Sequence, residues 1–490
     1  MYKEAICFCR CHLIVAILYP STALSLVVLG VFWCILLGMP VGLAVTPRHI
    51  ILRHSLRPKN FQAVSLSMTR YRDNADNVLP LRVNTTKASI KSGERDFQIK
   101  KIASILCPFL LGVDSSVSEK VTDDSETANS AYSSLMVKPL LGGLSNELFV
   151  VESAYNRTSA LVRIHPTVSS NSPSSSFSIV DREVENRLSA WLSREEIKQD
   201  KKNGKKCGAP IFYGRFENGR IEEYFLEVEP LSYSQMGEYG PKIANILAAL
   251  HDKQVPESVM PSTREIHPFG DIWSRVDEWL HTAQKTKTEQ VIDELLDELE
   301  KEWTWLKTVL MVDLNQTRND PTTTGAVTVA VTEFCQELVL THMDAQSLNL
   351  LKTKDNDLRL IDYEYAGFNP RALDIANTFC EHCDMNNIKA DYRKEYPTTD
   401  VQNAFLVAYL QSVDLSSSMK SILLINDARD EVLRTMQDVV GRYTLVSHLG
   451  WAIWSVVQNQ LPSDANIDFD YVAYARHRIV GYRIFQQKYY

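Results

Sequence analysis

Positive charge is in short supply. The 490 residues carry 52 Lys and Arg against 60 Asp and Glu, a formal net charge of −8. A protein that grips nucleic acid through its phosphates needs the opposite excess, so that partner class is excluded. Cysteine is sparse and odd in number, and nine residues scattered over this length do not build a disulfide scaffold. No Cys-x-x-Cys pair has a matching partner pair, which argues against a structural zinc site. No repeat recurs at solenoid period. Apolar residues make up 45% and charged residues 23%, an ordinary globular balance. A collagen, a wholly disordered chain and a polytopic transporter are thereby excluded. The length allows about two to four domain-sized units.

One stretch lacks charge altogether. From Leu13 to Val45 there is no charged residue, and roughly 20 apolar residues suffice to cross a bilayer as a helix. Lys3 and Arg10 precede the run; Arg48, Arg53, Arg57 and Lys59 follow it. The positive-inside rule then puts the C-terminal side in the cytoplasm. The expectation is a short tail over 1–12, a transmembrane signal-anchor over 13–45 and a linker, basic and then disordered, over 46–133. A cleaved signal peptide competes, because Gly42-Leu43-Ala44 resembles a small-residue cleavage site. That alternative makes the protein lumenal or secreted, and the sequons at Asn84, Asn156 and Asn315 permit it. Cys7, Cys9 and Cys11 beside the run are candidates for palmitoylation. Asp114 to Ser130 is rich in Ser, Asp, Glu and Thr; too little apolar surface is present to offset ordering entropy, so a flexible tether is expected. Ser169 to Ser178 reads as a surface loop insertion.

Folded patterning begins near Ser134. Met136 to Leu141 and Glu147 to Val151 flank Gly142-Gly143-Leu144-Ser145-Asn146, the pattern of a hairpin with a glycine turn. Ala160 to Ile164, Ile211 to Gly214 and Glu223 to Leu226 read as further strands, and helical spacing starts at Asp181. After Pro241 the patterns are mostly helical, with brief strands around Leu338–Thr341 and Leu358–Ile361. The fold class is therefore α+β: a small β-rich lobe over 134–232 and a large helical lobe over 233–490, the bilobal outline of a protein-kinase-like fold.

The chemistry is concentrated in one segment. His342-Met343-Asp344-Ala345-Gln346-Ser347-Leu348-Asn349 is HxDxxxxN after an apolar strand, and Asp362 follows at the end of another. Phosphoryl transfer asks a protein mainly for positioning and charge neutralisation. One carboxylate, Asp344, must reach the acceptor hydroxyl and take its proton. Asn349 and Asp362 are hard oxygen ligands suited to Mg²⁺ on the β- and γ-phosphates. His342 is expected to brace the loop.

These residues also carry a family resemblance. Ile361-Asp362-Tyr363-Glu364-Tyr365-Ala366-Gly367-Phe368-Asn369 followed by Asp374-Ile375-Ala376-Asn377-Thr378-Phe379-Cys380-Glu381 resembles the choline/ethanolamine kinase signature. Leu445 to Ser455 is similar to that family's C-terminal helix, Gly142 to Asn146 to its nucleotide loop, and Asp181-Arg182-Glu183 to the start of its small-lobe helix. The likeness runs from about 135 to 488. It implies an ATP-dependent kinase for a small amino alcohol, opening the Kennedy pathway to phosphatidylethanolamine or phosphatidylcholine, and it leaves room for a homodimer. Asp344 is then the base, with Asn349 and Asp362 the Mg²⁺ ligands. Arg163 takes a phosphate-binding role with Glu185 as its candidate partner, Glu183 competing. Gly142, Gly143, Ser145 and Asn146 offer the ATP phosphates a turn, and adenine lies near Phe225 to Glu229. A choline-type ammonium needs aromatic faces. Trp451 and Trp454, three apart on one helix face, would supply them with Tyr365 and Tyr474, and Glu381 would add a carboxylate.

The chain departs from the family pattern in three places. Met343 stands where the family usually has Asn, and His382 where an aromatic residue commonly follows the Glu. A further pocket aromatic is replaced in Asp384-Met385-Asn386-Asn387. Losing an aromatic wall weakens choline more than ethanolamine, so ethanolamine is the favoured substrate and choline the alternative. An aminoglycoside-phosphotransferase-like kinase shares HxDxxxxN but needs no Trp451 and Trp454. An inactive membrane-tethered scaffold would be favoured by the absence of Asp344, Asn349 or Asp362, all of which are present.

Overall fold

The computed structural model describes residues 78–490 apart from 86, 112–131, 141–145, 156, 166–178, 203, 261–269, 286–289, 319–324, 384–389, 426–427 and 461–468. The apolar run 13–45 with its flanks, the stretches 114–130 and 169–178, and Gly142, Gly143 and Ser145 lie outside the described residues. Among the described residues, no helix is long and apolar enough to cross a membrane.

The small lobe is built on a six-stranded sheet. Its elements in chain order are β1 (Val78–Leu79), α1 (Lys87–Ser92), α2 (Glu94–Leu106), β2 (Leu135–Leu140), β3 (Glu147–Ser153), β4 (Ser159–Ile164), α3 (Arg182–Lys202), β5 (Phe212–Phe216) and β6 (Gly219–Glu223). The strand order is β1-β5-β6-β4-β3-β2. β2 and β3 pair antiparallel from Leu135↔Ser153 to Leu140↔Leu148, as the expected hairpin requires. Phe149, Val151, Ala160, Val162 and Ile221 are buried on one face of the sheet. The Asp181 carboxylate accepts the backbone N–H groups of Glu183 and Val184 at 3.0 and 3.1 Å, capping α3.

Two expectations are corrected here. The disordered linker over 46–133 does not extend through 78–111, which is folded onto the sheet. Ile99, Ile102, Ala103 and Leu106 recur at helical spacing along α2 and are buried against Phe149, Val151 and Val162. Lys100 and Lys101 are interleaved with them, Arg95 precedes them, and the three mask the stripe in the sequence. Asn218 ties the segment down: its side chain accepts the Val83 N–H at 3.0 Å and donates to the Val83 carbonyl at 2.9 Å. The strand expected over Glu223–Leu226 lies earlier, as β6. Arg220 and Glu222 gave that stretch a polar look, yet both are buried.

In the large lobe, β7 (Val228–Pro230), α4 (Met236–His251), α5 (Asp271–Lys285), α6 (Gln290–Arg318) and α7 (Gly325–Gln336) lead into β8 (Leu338–Thr341), β9 (Leu350–Thr353), β10 (Leu358–Leu360) and β11 (Gly367–Pro370). Then come α8 (Arg371–Cys380), α9 (Tyr392–Glu395), α10 (Thr399–Ser412), α11 (Ser417–Leu423), α12 (Ala428–Gln460) and α13 (Tyr471–Tyr489). β7 joins β9 and β10 in a three-stranded sheet, and β8 pairs with β11. The 33-residue α12 is the spine of the lobe, with Leu445, Val446, Leu449 and Ile453 fully buried. α13 crosses it at Gly481, where an added Cβ would stand 2.5 Å from His448 Cε1.

Replacing Ile102 by Ala should lower unfolding free energy by about 2–5 kcal/mol in a denaturant titration, the range for truncating a buried aliphatic side chain. An unchanged midpoint would show that α2 is no part of the folded lobe.

Candidate active site

Strand pairing brings the two motif loops together. Loop 342–349 leaves β8 and enters β9; loop 361–366 leaves β10 and enters β11. Since β8 pairs with β11 and β9 with β10, both loops emerge side by side. His342 braces them as expected: Nε2–H donates to the Ile361 carbonyl at 3.0 Å, while Nδ1 accepts the Asp344 N–H at 3.1 Å. Burial lowers the His342 pKa, so the ring is neutral and this tautomer is consistent. From α8, Asp374 accepts the N–H groups of His342 and Met343 at 2.8 and 2.7 Å and the His251 imidazole at 3.0 Å. Met343 and Asp362 sit at φ 68° and 69°, left-handed backbone that costs a non-glycine residue about 1–3 kcal/mol. The Asp374 clamp helps hold that strain.

Asp344 is half-buried at the centre of the site. Asn349 Nδ2 donates to its carbonyl at 2.9 Å and to its Oδ2 at 2.7 Å, and Gln346 Nε2 lies 3.3 Å from both carboxylate oxygens. Burial, with Glu381 and Asp362 nearby, raises the Asp344 pKa well above the usual carboxylate range. Carboxylate oxygens of Glu185, Asp362 and Glu364 all lie within 4.8 Å of one another. Burial and the Asp362 charge push Glu364 up to about 7, against the opposing pull of Arg182. This crowding of hard oxygen donors suits a divalent cation, whose charge would relieve the repulsion. Asn349 turns its amide nitrogen to Asp344, which leaves its oxygen for a cation.

The partner expected for Arg163 is corrected. Its Nε and Nη2 donate to Glu222, not Glu185, at 3.2 and 2.9 Å, and Nη1 reaches both Asp362 oxygens at 3.4 Å. Glu185 instead accepts from Arg220 at 2.5 Å and from Arg182 at 2.7 Å. Arg220 also donates to Glu222 at 2.8 Å, and Arg182 to Glu364 at 2.8 Å. The reason is reach along the sheet: β4 and β6 are neighbours in register, with Arg163 opposite Arg220. Glu183, the competitor, is mostly exposed and pairs with Arg215. Asn146 Oδ1 lies 2.8 Å from His165 Nδ1, and burial together with Arg220 and Arg182 lowers that imidazole to about 3. Arg182, Arg220, Glu222, Glu364 and Gln346 escaped the sequence analysis. The available signal was Arg220-x-Glu222, an i,i+2 pair on one strand face.

The acceptor candidates come together between α12, α13 and loop 361–366. Tyr365 contacts Trp451 and Trp454 edge-on with centroids 5.0 and 6.3 Å apart; Trp454 contacts Trp451 at 5.3 Å and Tyr474 at 6.3 Å. Trp454 Nε1–H donates to the Tyr365 hydroxyl at 2.8 Å. Phe469 and Tyr471, not foreseen, extend the cluster. Glu381 is held in a buried ion pair. Fully buried Arg478 donates to it at 3.2 Å and lies 5.8 Å from the Tyr474 ring centroid. His382 is a neutral imidazole, lowered to about 4 by burial. Residues 384–387 lie outside the described residues.

Burial alone would push Glu222 up, yet the two arginines hold it below the usual carboxylate range. Its stabilising contribution is therefore complete above the unfolded pKa of about 4.3 and is lost as pH falls through the lower folded value. Glu222→Leu takes one of two carboxylate partners from each of two buried guanidinium groups and should lower stability by about 3 kcal/mol at pH 7. The deficit should shrink on acidification; a pH-independent deficit would contradict the pairing.

A family model described as choline/ethanolamine kinase matches residues 137–483. A protein described as probable choline kinase 3 from Arabidopsis thaliana is 27% identical over 367 residues, 72% of this chain and 86% of that relative. The crystal structure of a choline kinase from Cryptosporidium parvum aligns with TM-score 0.53 at 25% identity, over 73% of this chain and 90% of that one. A Plasmodium vivax ethanolamine kinase aligns with TM-score 0.55 over 85% of this chain and 94% of that one; at 19% identity it speaks to fold alone.

Proposed function

The chain belongs to the choline/ethanolamine kinase family, and from that premise we propose that its acceptor site favours ethanolamine over choline. The reaction is ATP-dependent phosphorylation of a small amino alcohol on its hydroxyl, giving a phosphomonoester for phospholipid synthesis by the Kennedy pathway. We assign Asp344 as the base. Held by Asn349 and Gln346, its carboxylate accepts the hydroxyl hydrogen bond and takes the proton as the alcohol oxygen bonds to the γ-phosphorus and the bond from that phosphorus to the β-phosphate oxygen breaks, releasing ADP. Arg163, anchored by Glu222, is assigned to the phosphates. Mg²⁺, when bound by Asp362 and Asn349 with Glu364 and Glu185 adjacent, would neutralise charge on the β- and γ-phosphates. Adenine is assigned to the lobe junction at 225–229, which follows β6 and runs into β7.

The preference rests on two carboxylates beside the aromatic cluster: Arg478 joins Glu381 to the face of Tyr474, and the Tyr474 pKa is raised first by burial and then by Glu381 and Asp344, against the pull of Arg478. A primary ammonium donates hydrogen bonds to such oxygens, whereas a quaternary ammonium has only aromatic faces to contact. Initial rates of the intact enzyme with each alcohol should give ethanolamine the higher kcat/KM by about tenfold. Equal values, or an advantage for choline, would refute the preference. Trp454→Ala should raise KM for choline more than for ethanolamine, reflecting a cation–π contribution of about 0.5–2 kcal/mol. Asp344→Ala should lower kcat by about two orders of magnitude or more with nucleotide affinity retained; unchanged turnover would remove Asp344 from the base role.

The same proposal extends to location: the run 13–45 anchors the chain with its catalytic lobes on the cytoplasmic face, supported by the flanking basic residues. A glycosidase-sensitive mass shift of the native protein would overturn that orientation.

A further inference from the structure

Asn377 lies on α8 and is fully buried. Its side chain makes three hydrogen bonds. Nδ2 donates to the Met343 carbonyl at 2.9 Å. Oδ1 accepts the Trp451 indole N–H at 2.8 Å and the Ser447 hydroxyl at 2.7 Å. The chemistry of the partners fixes the amide: a backbone carbonyl only accepts and an indole N–H only donates, so a flipped amide would lose both bonds.

The three partners belong to different parts of the site. Met343 immediately precedes Asp344. Trp451 stands in edge contact with both Tyr365 and Trp454. Ser447 accepts from Arg478 at 3.1 Å, and Arg478 in turn donates to Glu381 at 3.2 Å. One amide thus joins the loop bearing the base to the aromatic wall and to the buried ion pair. Packing alone would not call for this. A buried amide of this volume could be replaced by leucine if only the helices needed to touch, and a buried polar network is useful where it specifies one geometry.

We propose that Asn377 is a positioning residue for the acceptor. It sets the separation between the Asp344 loop and the wall carrying Trp451, so that a bound amino alcohol presents its hydroxyl to the base. The proposal rests on Trp451 being part of the acceptor wall. Displacement of a reacting group by a fraction of its hydrogen-bond length already lowers turnover. The nucleotide half of the site, built on Arg163, Glu222 and the β6–β7 junction, makes none of these contacts.

The test uses the intact enzyme and Asn377→Asp. This change is nearly isosteric and retains an oxygen for Trp451 and Ser447, but it sets an oxygen against the Met343 carbonyl. Expected are a fall of about 10- to 100-fold in kcat/KM for ethanolamine and a Mg·ATP dissociation constant within about twofold of the parent enzyme. A parallel loss of Mg·ATP affinity would reduce Asn377 to a general structural role and overturn the proposal. Trp451→Ala is the control on the premise. If it raises the ethanolamine KM while Asn377→Asp matches the parent enzyme, the wall stands and the positioning role falls. If neither changes KM, the wall assignment fails and the proposal with it. Should Asn377→Asp not fold, Ser447→Ala carries the test, since it removes one of the two donors to Asn377 Oδ1 and leaves every ring of the wall in place. A rise of about threefold or more in acceptor KM supports the proposal, and unchanged kinetics overturn it.

Discussion

A buried run of alternating charges holds the site together. It passes from Asp362 through Arg163, Glu222, Arg220, Glu185 and Arg182 to Glu364, each step a direct ion pair. Both ends lie on one loop of the large lobe, and every intermediate member lies on β4, β6 or α3 of the small lobe. Charges in such surroundings are tolerated only when each has an opposite neighbour. Arg220 has two carboxylates and Glu222 two guanidinium groups, so neither can move alone. The run therefore fixes α3 against the sheet and sets the small lobe over Asp362 and Glu364, the two carboxylates best placed to meet a cation.

The large lobe solves a different problem. Its two loops must turn sharply so that Asp344 and Asp362 face the same space, and both turns pass through left-handed backbone at non-glycine residues. Neutral His342 joins the loops through one donor and one acceptor bond. Asp374 takes the two N–H groups at the start of the catalytic loop and is steadied by His251. Together these bonds hold a conformation that the isolated loop would not retain.

The parts legible in the sequence were those with fixed spacing. HxDxxxxN, the strand-end Asp362 and the Trp451/Trp454 pair define short-range geometry that strand pairing and helix periodicity carry directly into space. The small-lobe hairpin was legible for the same reason. What escaped depends on partners distant in sequence. Arg163 and Glu222 are 59 residues apart, and nothing local marks Glu222 as a better partner than Glu185. Arg478 and Glu381 are separated by 97 residues. Helix α2 escaped for a local reason: its apolar positions are interrupted by basic residues, and the adjoining Ser/Asp-rich stretch coloured the whole segment.

Substrate choice turns on how the acceptor pocket divides its work. The aromatic rings have their polar tips committed, Trp454 to Tyr365 and Trp451 to Asn377, so they offer faces and edges rather than new hydrogen bonds. The directional acceptors are the carboxylates, and one of them, Glu381, is already half-neutralised by Arg478. Full neutralisation would leave a pocket that selects by shape and cation–π attraction, which suits a trimethylammonium. An unpaired Glu381 would bind any small cation strongly and indiscriminately. The observed pairing lies between these limits: the carboxylate is oriented by Arg478 while Asp344 keeps a negative charge close by whenever it is ionised. A primary ammonium profits from both groups because it can donate to each, and a quaternary one gains only their field. On the proposed preference for ethanolamine, discrimination would depend on directional bonds that one substrate can form and the other cannot.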